Sequence, residues 1–345
     1  MFFKPRPAEK QGAPTKVPWT EKYRPKSLKD VASQDSIVSV LEKTVHSDNL
    51  PHMLFYGPPG TGKTSTVLAL AKDLYGPELF KTRVLELNAS DDRGIGVVRD
   101  KIKNFSRTVV ASASEATRAK YPAPDFKLVV LDEADMMTQD AQSALRRTME
   151  TYSKLTRFCI VCNYVTRIID PLASRCSKFR FKELAAGSAL ERLQYICDQE
   201  QVRLESPAVL EHLLRVSGGD LRRSITLLQS AAGLSPESGV TANLVSELSG
   251  SVPPAEVAKI TKAVREGNQR NLETTVRDVI LDGYSVAQLI DQLHDDLLYD
   301  IAVSDSAKNK IAAVLSDADR RLTDGADEHI ELLNVASQIA LALKA

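Results

Sequence analysis

The 345-residue chain lacks several features that would place it in a special class of protein. It contains no run of about 18 apolar residues, which excludes a helix long enough to span a bilayer. Residues 1–7 lack the apolar core of a secretory signal, and residues 1–16 are expected to form a flexible tail. With 43% hydrophobic and 26% charged residues, the composition is that of an ordinary globular protein.

Cysteine is scarce, with four residues, and two of them, Cys159 and Cys162, form a C-x-x-C pair. A structural zinc ion needs about four ligands, and no second cysteine or histidine pair follows. The pair lies in an apolar, strand-like run, where residues three apart point to opposite faces. The sequence therefore favours buried, reduced thiols over a zinc or redox site, which fits a reducing compartment.

The chain also lacks net charge, since 45 Lys and Arg residues balance 45 Asp and Glu residues. Taken as a sum, this argues against nucleic-acid binding, which needs an excess of basic residues. The distribution is uneven, because residues 1–183 carry 30 basic and 21 acidic side chains, whereas residues 184–345 carry 15 and 24. The distribution indicates that the first part is the one that could hold nucleic acid, and that the acidic second part suits protein partners.

Short apolar runs alternate with helical patterns up to residue 183, and only helical patterns follow. This alternation predicts an α/β domain with a parallel sheet covered on both faces. The candidate strands are residues 52–56, 84–87, 128–131, 158–162 and 178–181. The predicted domains are an α/β domain at 17–183, a small helical domain at 184–250 and a helical bundle at 251–345.

Residues 57–64 carry the strongest motif in the chain, the phosphate-loop pattern of Gly, four residues, Gly, Lys and Ser or Thr. An apolar strand precedes it and a helical pattern follows. Its glycines let backbone N–H groups turn towards phosphates, and the helix N-terminus adds a positive dipole end. Lys63 is expected to reach the β- and γ-phosphates of ATP, and Thr64 to ligate Mg²⁺. The predicted ATP-binding residues here are Gly57, Pro58, Pro59, Gly60, Thr61, Gly62, Lys63, Thr64 and Ser65.

Asp132 and Glu133 end an apolar strand at the edge where ligands bind in open α/β sheets. Asp132 is predicted to hold Mg²⁺, and Glu133 to orient or deprotonate the attacking water. Residues 132–135 also spell the Asp-Glu-Ala-Asp signature of one helicase class. Such helicases need a second α/β domain, and the helical patterns after residue 184 argue against one.

These motifs resemble those of the small subunits of replication factor C, the eukaryotic sliding-clamp loader of the AAA+ class. Four further stretches share the resemblance: residues 18–25, 85–94, 142–150 and 172–176. The resemblance is dense up to about residue 250 and weaker beyond it. It implies an AAA+ P-loop ATPase domain, an all-α lid domain and an all-α C-terminal collar that holds subunits together.

The resemblance also implies a function and partners. ATP binding would assemble a hetero-pentamer that opens a ring-shaped clamp on primer–template DNA, and hydrolysis, stimulated by DNA and clamp, would release the closed clamp. The implied partners are one large and three other small subunits, the clamp and DNA, and no membrane partner is implied. The implied location is the nucleus, and the implied processes are replication and repair. The alternatives are another AAA+ helicase or DNA remodeller, whose pore-loop aromatics we do not find, and a non-hydrolysing scaffold, which the complete catalytic set disfavours.

Further site residues are implied by position. Thr20, Arg24 and Val31 fall where the family cradles adenine and ribose, although the family usually has Val at the first position. Asn163 matches sensor 1, which contacts the γ-phosphate or the attacking water. Arg222 matches sensor 2, in the first turn of a helix that the residue before Leu221, an aspartate, is expected to cap.

Two arginines are implied to act on a neighbouring subunit. Arg175 matches the arginine finger, which completes the ATP site of the next subunit in trans, and Arg146 is implied to approach the same nucleotide. The residues alone leave open a surface salt bridge for Arg175 and an exposed basic pair for Arg146 and Arg147.

A basic helical pattern spans residues 95–109. Arg99, Lys103 and Arg107 stand at every fourth position, and Arg93 lies just before them. Such a face suits a phosphate backbone, and the resemblance favours DNA contact over a solvated face. No base-reading module is present, so no base specificity is expected. No short clamp-binding peptide is present either, so clamp contact would use a folded surface.

Overall fold

The computed structural model describes residues 17–31, 33–45, 50–91, 96, 98–108, 114–235 and 239–344. Contacts divide the chain into two compact units. The first unit is Met1–Val202 with Ser217–Gln229, and the second unit is Arg203–Val216 with Ser230–Ala345. The predicted tail, residues 1–16, lies outside the described residues, and the three predicted domain boundaries stay a prediction.

A five-stranded parallel sheet lies in the described part of the first unit, as the sequence predicted. Its strands are β1 (Met53–Tyr56), β2 (Val84–Asn88), β3 (Lys127–Asp132), β4 (Thr156–Cys162) and β5 (Ser177–Arg180), in the order β2-β3-β4-β1-β5. The chain leaves β1 towards β2 and leaves β4 towards β5, so the connections diverge between β1 and β4. A crevice forms at such a switch point, outside the carboxyl ends of the strands.

The helices of the described residues cover the sheet and then form the rest of the chain. They are α1 (Trp19–Lys22), α2 (Asp35–Val45), α3 (Lys63–Arg83), α4 (Lys103–Arg107), α5 (Glu115–Arg118), α6 (Gln139–Tyr152), α7 (Asp170–Ala173), α8 (Ala186–Glu200), α9 (Ala208–Val216), α10 (Leu221–Leu234), α11 (Ala242–Ser249), α12 (Pro254–Glu266), α13 (Gln269–Leu281), α14 (Val286–Leu298), α15 (Asp305–Thr323) and α16 (Glu328–Lys344). None of these helices combines the length and apolar character that crossing a bilayer requires.

Apolar side chains on both faces of the sheet are buried, because alternate residues of a strand point to opposite sides. Phe55, Val130 and Cys159 belong to one buried cluster, whereas Leu54 and Cys162 belong to the other. The two thiols of the C-x-x-C pair therefore face away from each other. All four cysteines are free and buried, which confirms the prediction of buried thiols.

The second unit has its own core. Helices α12 to α16 pack around one apolar cluster, which includes Val264, Leu293 and Ile339. Helix α14 ends at Leu298, just before Asp300, whose carboxylate accepts the Ala302 N–H and pairs with Arg265. The predicted class, an α/β ATPase-type domain followed by all-α parts, is confirmed.

The predicted basic helix differs from the structure in one respect. Val98–Ile102 form a π-helical turn, and α4 begins only at Lys103. A π-turn uses i→i+5 hydrogen bonds, so this stretch is not one regular α-helix, and the face predicted to carry Arg99 stays a prediction. Lys103 and Arg107 keep this spacing and are exposed. Arg93 and the side chain of Arg99 lie outside the described residues.

The buried thiols predict slow alkylation of the folded chain. Burial raises the pKa of Cys162 and Cys176 to about 12 and that of Cys197 to about 11. Few thiolates therefore exist at pH 8, and we expect reaction with a thiol reagent more than about a hundredfold slower than in urea, where all four should react. Rapid labelling of any cysteine in the folded chain would contradict this account.

Candidate nucleotide-binding site

A cavity of about 260 Å³ lies in the first unit, at the carboxyl ends of β1, β3 and β4 and the N-terminus of α3. It lies in the crevice that the strand order creates. The predicted residues that line it are Thr20, Arg24, Val31, Pro59, Gly60, Thr61, Gly62, Lys63, Thr64, Ser65, Asp132, Glu133, Asn163 and Arg222. Motifs far apart in the sequence therefore meet at one concave site.

Gly57 and Pro58 do not line this cavity, although the motif includes them. They line an adjacent cavity with Phe181, and a Cβ on Gly57 would lie 2.2 Å from the Phe181 carbonyl oxygen. Gly57 thus permits β1 and the end of β5 to approach each other, because no other side chain would fit. Asn163 lines both cavities.

Lys63 links the phosphate loop to the end of β4. Its Nζ donates to the carbonyl oxygens of Gly57 (2.9 Å) and Pro58 (2.7 Å) and to Oδ1 of Asn163 (2.9 Å). Burial lowers the pKa of Lys63, and the negative charge of Asp132 opposes that shift. An ammonium group that has lost water needs such acceptors, so these contacts hold it at the base of the cavity.

Thr64 and Asp132 provide the oxygen atoms that a magnesium site needs. The Thr64 hydroxyl donates to Oδ2 of Asp132 at 2.8 Å, which joins the start of α3 to the end of β3. Mg²⁺ in nucleotide sites is bound by one or two protein oxygens together with phosphates. The hydroxyl and carboxylate therefore fit the predicted ion.

Glu133 has an unusual backbone conformation at the edge of the cavity. Its φ of 51° and ψ of 38° are left-handed, a region that costs a residue other than glycine about 1–3 kcal/mol. Its N–H donates to Oδ1 of Asp132 at 2.9 Å. This turn places two successive carboxylates along the cavity wall, where a period-two strand would point them to opposite faces.

Arg222 comes from the start of α10, and the residue that caps this helix packs on the phosphate loop. Oδ1 of Asp220 accepts the N–H groups of Arg222 (2.8 Å) and Arg223 (3.2 Å), as the sequence predicted. A Cβ on Gly60 would lie 2.2 Å from the same oxygen. The position of Arg222 is therefore tied directly to the loop, whereas Arg223 is exposed and does not line the cavity.

Residues 17–31, the N-terminal segment, lie along one side of the cavity and contact helices α8 and α10. The Trp19 N–H donates to Gln229 in α10 at 3.0 Å, and the Tyr23 hydroxyl donates to Glu200 in α8 at 2.6 Å. Arg192 in α8 donates to the Tyr23 carbonyl oxygen at 2.7 Å. Thr20, Arg24 and Val31 are thus held at the cavity wall, where the resemblance predicted them.

Several lining residues were not predicted from the sequence. They are Glu21, Tyr23, Pro25, Asp30, Leu184, Arg192, Leu221 and Ile225. Arg192 adds a second cation from the helical region, and no motif in the sequence marks it. Leu221 and Ile225 lie one turn apart on α10, on either side of Arg222 in the sequence. Their helical spacing relative to Arg222 is the sequence feature from which they could have been predicted.

Arg175 and Arg146 do not line this cavity. Arg175 follows α7 and donates to the Pro171 carbonyl oxygen and to Glu150, both at 2.5 Å. Arg146, on α6, lies 4.0 Å from the same carboxylate. Arg175 thus lies away from the chain's own candidate nucleotide site, which is compatible with action on a neighbouring subunit. That action stays a prediction.

Three family models match successive parts of the chain. The ATPase family associated with various cellular activities matches residues 53–184. An AAA+ ATPase lid domain described as RCF1/5-like matches residues 191–233, and the replication factor C C-terminal domain matches residues 252–338.

Curated relatives match nearly the whole chain. Replication factor C subunit 2 of Saccharomyces cerevisiae is 54% identical and covers 94% of this chain and 92% of its own length. Human replication factor C subunit 4 is 48% identical, with 94% of this chain and 88% of its own length covered. The chain belongs to the replication factor C family. Residues 157–171 alone look most like yeast subunit 2 and human subunit 4, and the relatives confirm this interpretation.

Archaeal replication factor C proteins are similar too, since the small subunit of Archaeoglobus fulgidus is 42% identical over 91% of this chain and 94% of its own length. The predicted AAA+ ATPase activity is therefore supported by both the family and the site. These relatives do not favour the alternative of another AAA+ helicase or DNA remodeller.

Solved structures with the same fold include the Holliday junction branch migration motor RuvB of Thermotoga maritima. One structure has a TM-score of 0.51 at 15% identity and covers 70% of this chain and 79% of that chain. A likeness at this identity shows the fold alone. This chain and RuvB therefore share a fold, and the shared fold does not by itself imply a shared function.

The contact between Gly60 and Asp220 predicts a difference between two glycines of the loop. Both Gly60 (φ 72°) and Gly62 (φ 89°) are left-handed, but a Cβ on Gly62 meets nothing within 4 Å. Gly62→Ala should cost about 1–2 kcal/mol from backbone strain. Gly60→Ala should cost about 1–3 kcal/mol more from the steric clash, which thermal unfolding of the full chain measures.

Asp220→Ala provides the control for this comparison. Alone it should destabilise the chain by about 1 kcal/mol, because the cap of α10 is lost. Combined with Gly60→Ala it should recover part of the stability that this variant loses, and combined with Gly62→Ala it should recover none. Equal unfolding temperatures for the two glycine variants would show that the steric contact is unimportant.

Proposed function

We propose that this chain is an ATP-hydrolysing subunit of a sliding-clamp loader. The observation that supports this most is the single cavity in which Lys63, Thr64, Asp132, Glu133 and Asn163 meet, in a chain of the replication factor C family. A non-hydrolysing scaffold would not need the two carboxylates together with the phosphate loop.

The site residues have different roles in the proposed phosphoryl transfer. Backbone N–H groups at the start of α3 bind the phosphates, and Lys63 and Arg222 supply positive charge. Asn163, which accepts a hydrogen bond from Lys63, would orient the γ-phosphate or the attacking water. Glu133 orients or deprotonates that water. Thr64 and Asp132 would hold Mg²⁺, which neutralises phosphate charge when bound.

The finger for this reaction comes from another subunit. Arg175 lies outside the chain's own cavity and is exposed, so we assign it to the ATP site of the next subunit, with Arg146 nearby. This chain's own ATP would receive a finger from a different neighbour. ATP then acts as a bridge between subunits, and it favours the assembly state in which both sides contact it.

Partners follow from the family and from charge. We propose a hetero-pentamer with one large and three other small subunits, in the nucleus, which loads the ring-shaped clamp for replication and repair. The excess of basic residues up to position 183 supports contact of primer–template DNA with the ATPase part, where Arg93, Arg99, Lys103 and Arg107 would bind the DNA backbone. The acidic helical part suits contacts with the other subunits.

Glu133→Gln tests the catalytic assignment. The amide keeps the shape of the side chain but cannot take a proton, so ATP binding should persist while turnover at this site falls by about a hundredfold or more. The measurement is single-turnover hydrolysis in the complex, with ATP bound at this subunit alone. Turnover at the rate of the unchanged complex would show that Glu133 does not act on water.

Lys103→Gln combined with Arg107→Gln tests the DNA face. If both side chains contact phosphates, the slope of log affinity against log salt should decrease in magnitude by about 1.8, at ~0.9 for each lost contact. Lys178→Gln is the control, because Lys178 is exposed on β5, at the sheet edge opposite to β2. An unchanged slope in the double variant would remove α4 from the DNA interface.

A further inference from the structure

Glu150 contacts both arginines that are assigned to the neighbouring nucleotide. Its Oε1 lies 2.5 Å from Nη2 of Arg175 and 4.0 Å from Nε of Arg146. Glu150 and Arg146 are one turn apart on α6, whereas Arg175 lies in the turn after α7. One carboxylate therefore joins the two elements that carry these cations.

A second contact restricts the direction of the Arg175 guanidinium. Nη1 donates to the carbonyl oxygen of Pro171, and Nη2 donates to Glu150. These two contacts use two of the five N–H donors of the guanidinium and lie on different nitrogens. Three donors remain for a planar or tetrahedral anion, and a guanidinium binds phosphate best through such paired donors.

The solvent exposure of the Arg175–Glu150 ion pair indicates whether the pair contributes to fold stability or to the orientation of Arg175. Side-chain exposure is 37% for Arg175 and 44% for Glu150, so solvent and a partner surface can both reach the contact. An exposed ion pair contributes little to fold stability. It does reduce the number of rotamers of a long side chain and the repulsion between two neighbouring arginines, and both effects favour one orientation.

We propose that Glu150 is a positioning residue that holds Arg175 ready for the nucleotide of the adjacent subunit. The inference rests on the proposed function, because it requires that Arg175 acts in trans. Glu150 need not touch ATP. It acts through Arg175, whose orientation before the neighbour binds lowers the entropy cost of bringing the finger to the phosphate.

The test is an ATPase assay on the reconstituted complex in which only the site that receives Arg175 retains its phosphate-loop lysine. Glu150→Gln should lower kcat at that site by about three- to fivefold, the upper range for an exposed ion pair, and change KM for ATP by less than about twofold. Arg175→Ala gives the loss expected without a finger. Assembly of each complex is checked by gel filtration.

Asp140→Asn is the matched control. It removes the same charge from the same helix, and Asp140 has no ion pair among the contacts of the described residues. Its kcat should stay within about twofold of the unchanged complex. A loss equal to that of Glu150→Gln would attribute the effect to charge on α6 in general and overturn the proposal.

The double variant Glu150→Gln/Arg175→Ala separates positioning from an independent effect. It should be no slower than Arg175→Ala alone, because no finger remains to be positioned. Additive losses, or an unchanged or raised kcat in Glu150→Gln, would overturn the inference. If Arg175→Ala leaves the site unaffected, the trans assignment fails and the inference with it. A site that depends on Arg175 but ignores Glu150 overturns the inference alone.

Discussion

The buried ammonium group of Lys63 imposes the constraint on which the arrangement of the site depends. A cation removed from water must be surrounded by acceptors, and here they are two carbonyl oxygens of the loop and the side chain of Asn163. This requirement fixes the curvature of the loop and attaches it to the end of β4. Because Thr64 follows Lys63 and bonds to Asp132, the same requirement also places the end of β3.

The start of α10 is attached to this site through the phosphate loop itself. Asp220 caps α10 with the same oxygen that packs against Gly60, so the loop and the helix that carries Arg222 cannot move independently without losing that contact. The N-terminal segment makes a second attachment, from Trp19 to α10 and from Tyr23 to α8. Nucleotide bound in the cavity therefore touches elements that are already mechanically joined.

The sequence predicted the strands and the phosphate loop because each depends on local features. An apolar run of four to seven residues, a glycine pattern or an N-cap can be recognised without knowledge of distant contacts. Asp220 as a cap was predictable in this way, but its packing on Gly60 was not, since the two residues are brought together only by tertiary structure. Arg192 was missed for the same reason.

The π-turn at Val98–Ile102 shows another limit of pattern analysis. Apolar residues at helical spacing predict a helix, but one additional residue in a turn hardly changes that pattern. It does change the angle between side chains on its two sides. Face assignments that extend across such a turn therefore depend on the structure, whereas assignments within α4 do not.

A ligand shifts an equilibrium only by the difference in its affinity for the two states. In the proposed function, the γ-phosphate is the part of ATP that contacts Asn163, Arg222 and the finger of a neighbour at once. In that proposal, its loss on hydrolysis would remove contacts to the sheet, to α10 and to another subunit in one step. In the proposed function, the sheet and α10 are joined through Lys63 and Gly60, so the chemical change at one phosphate would become a change of assembly.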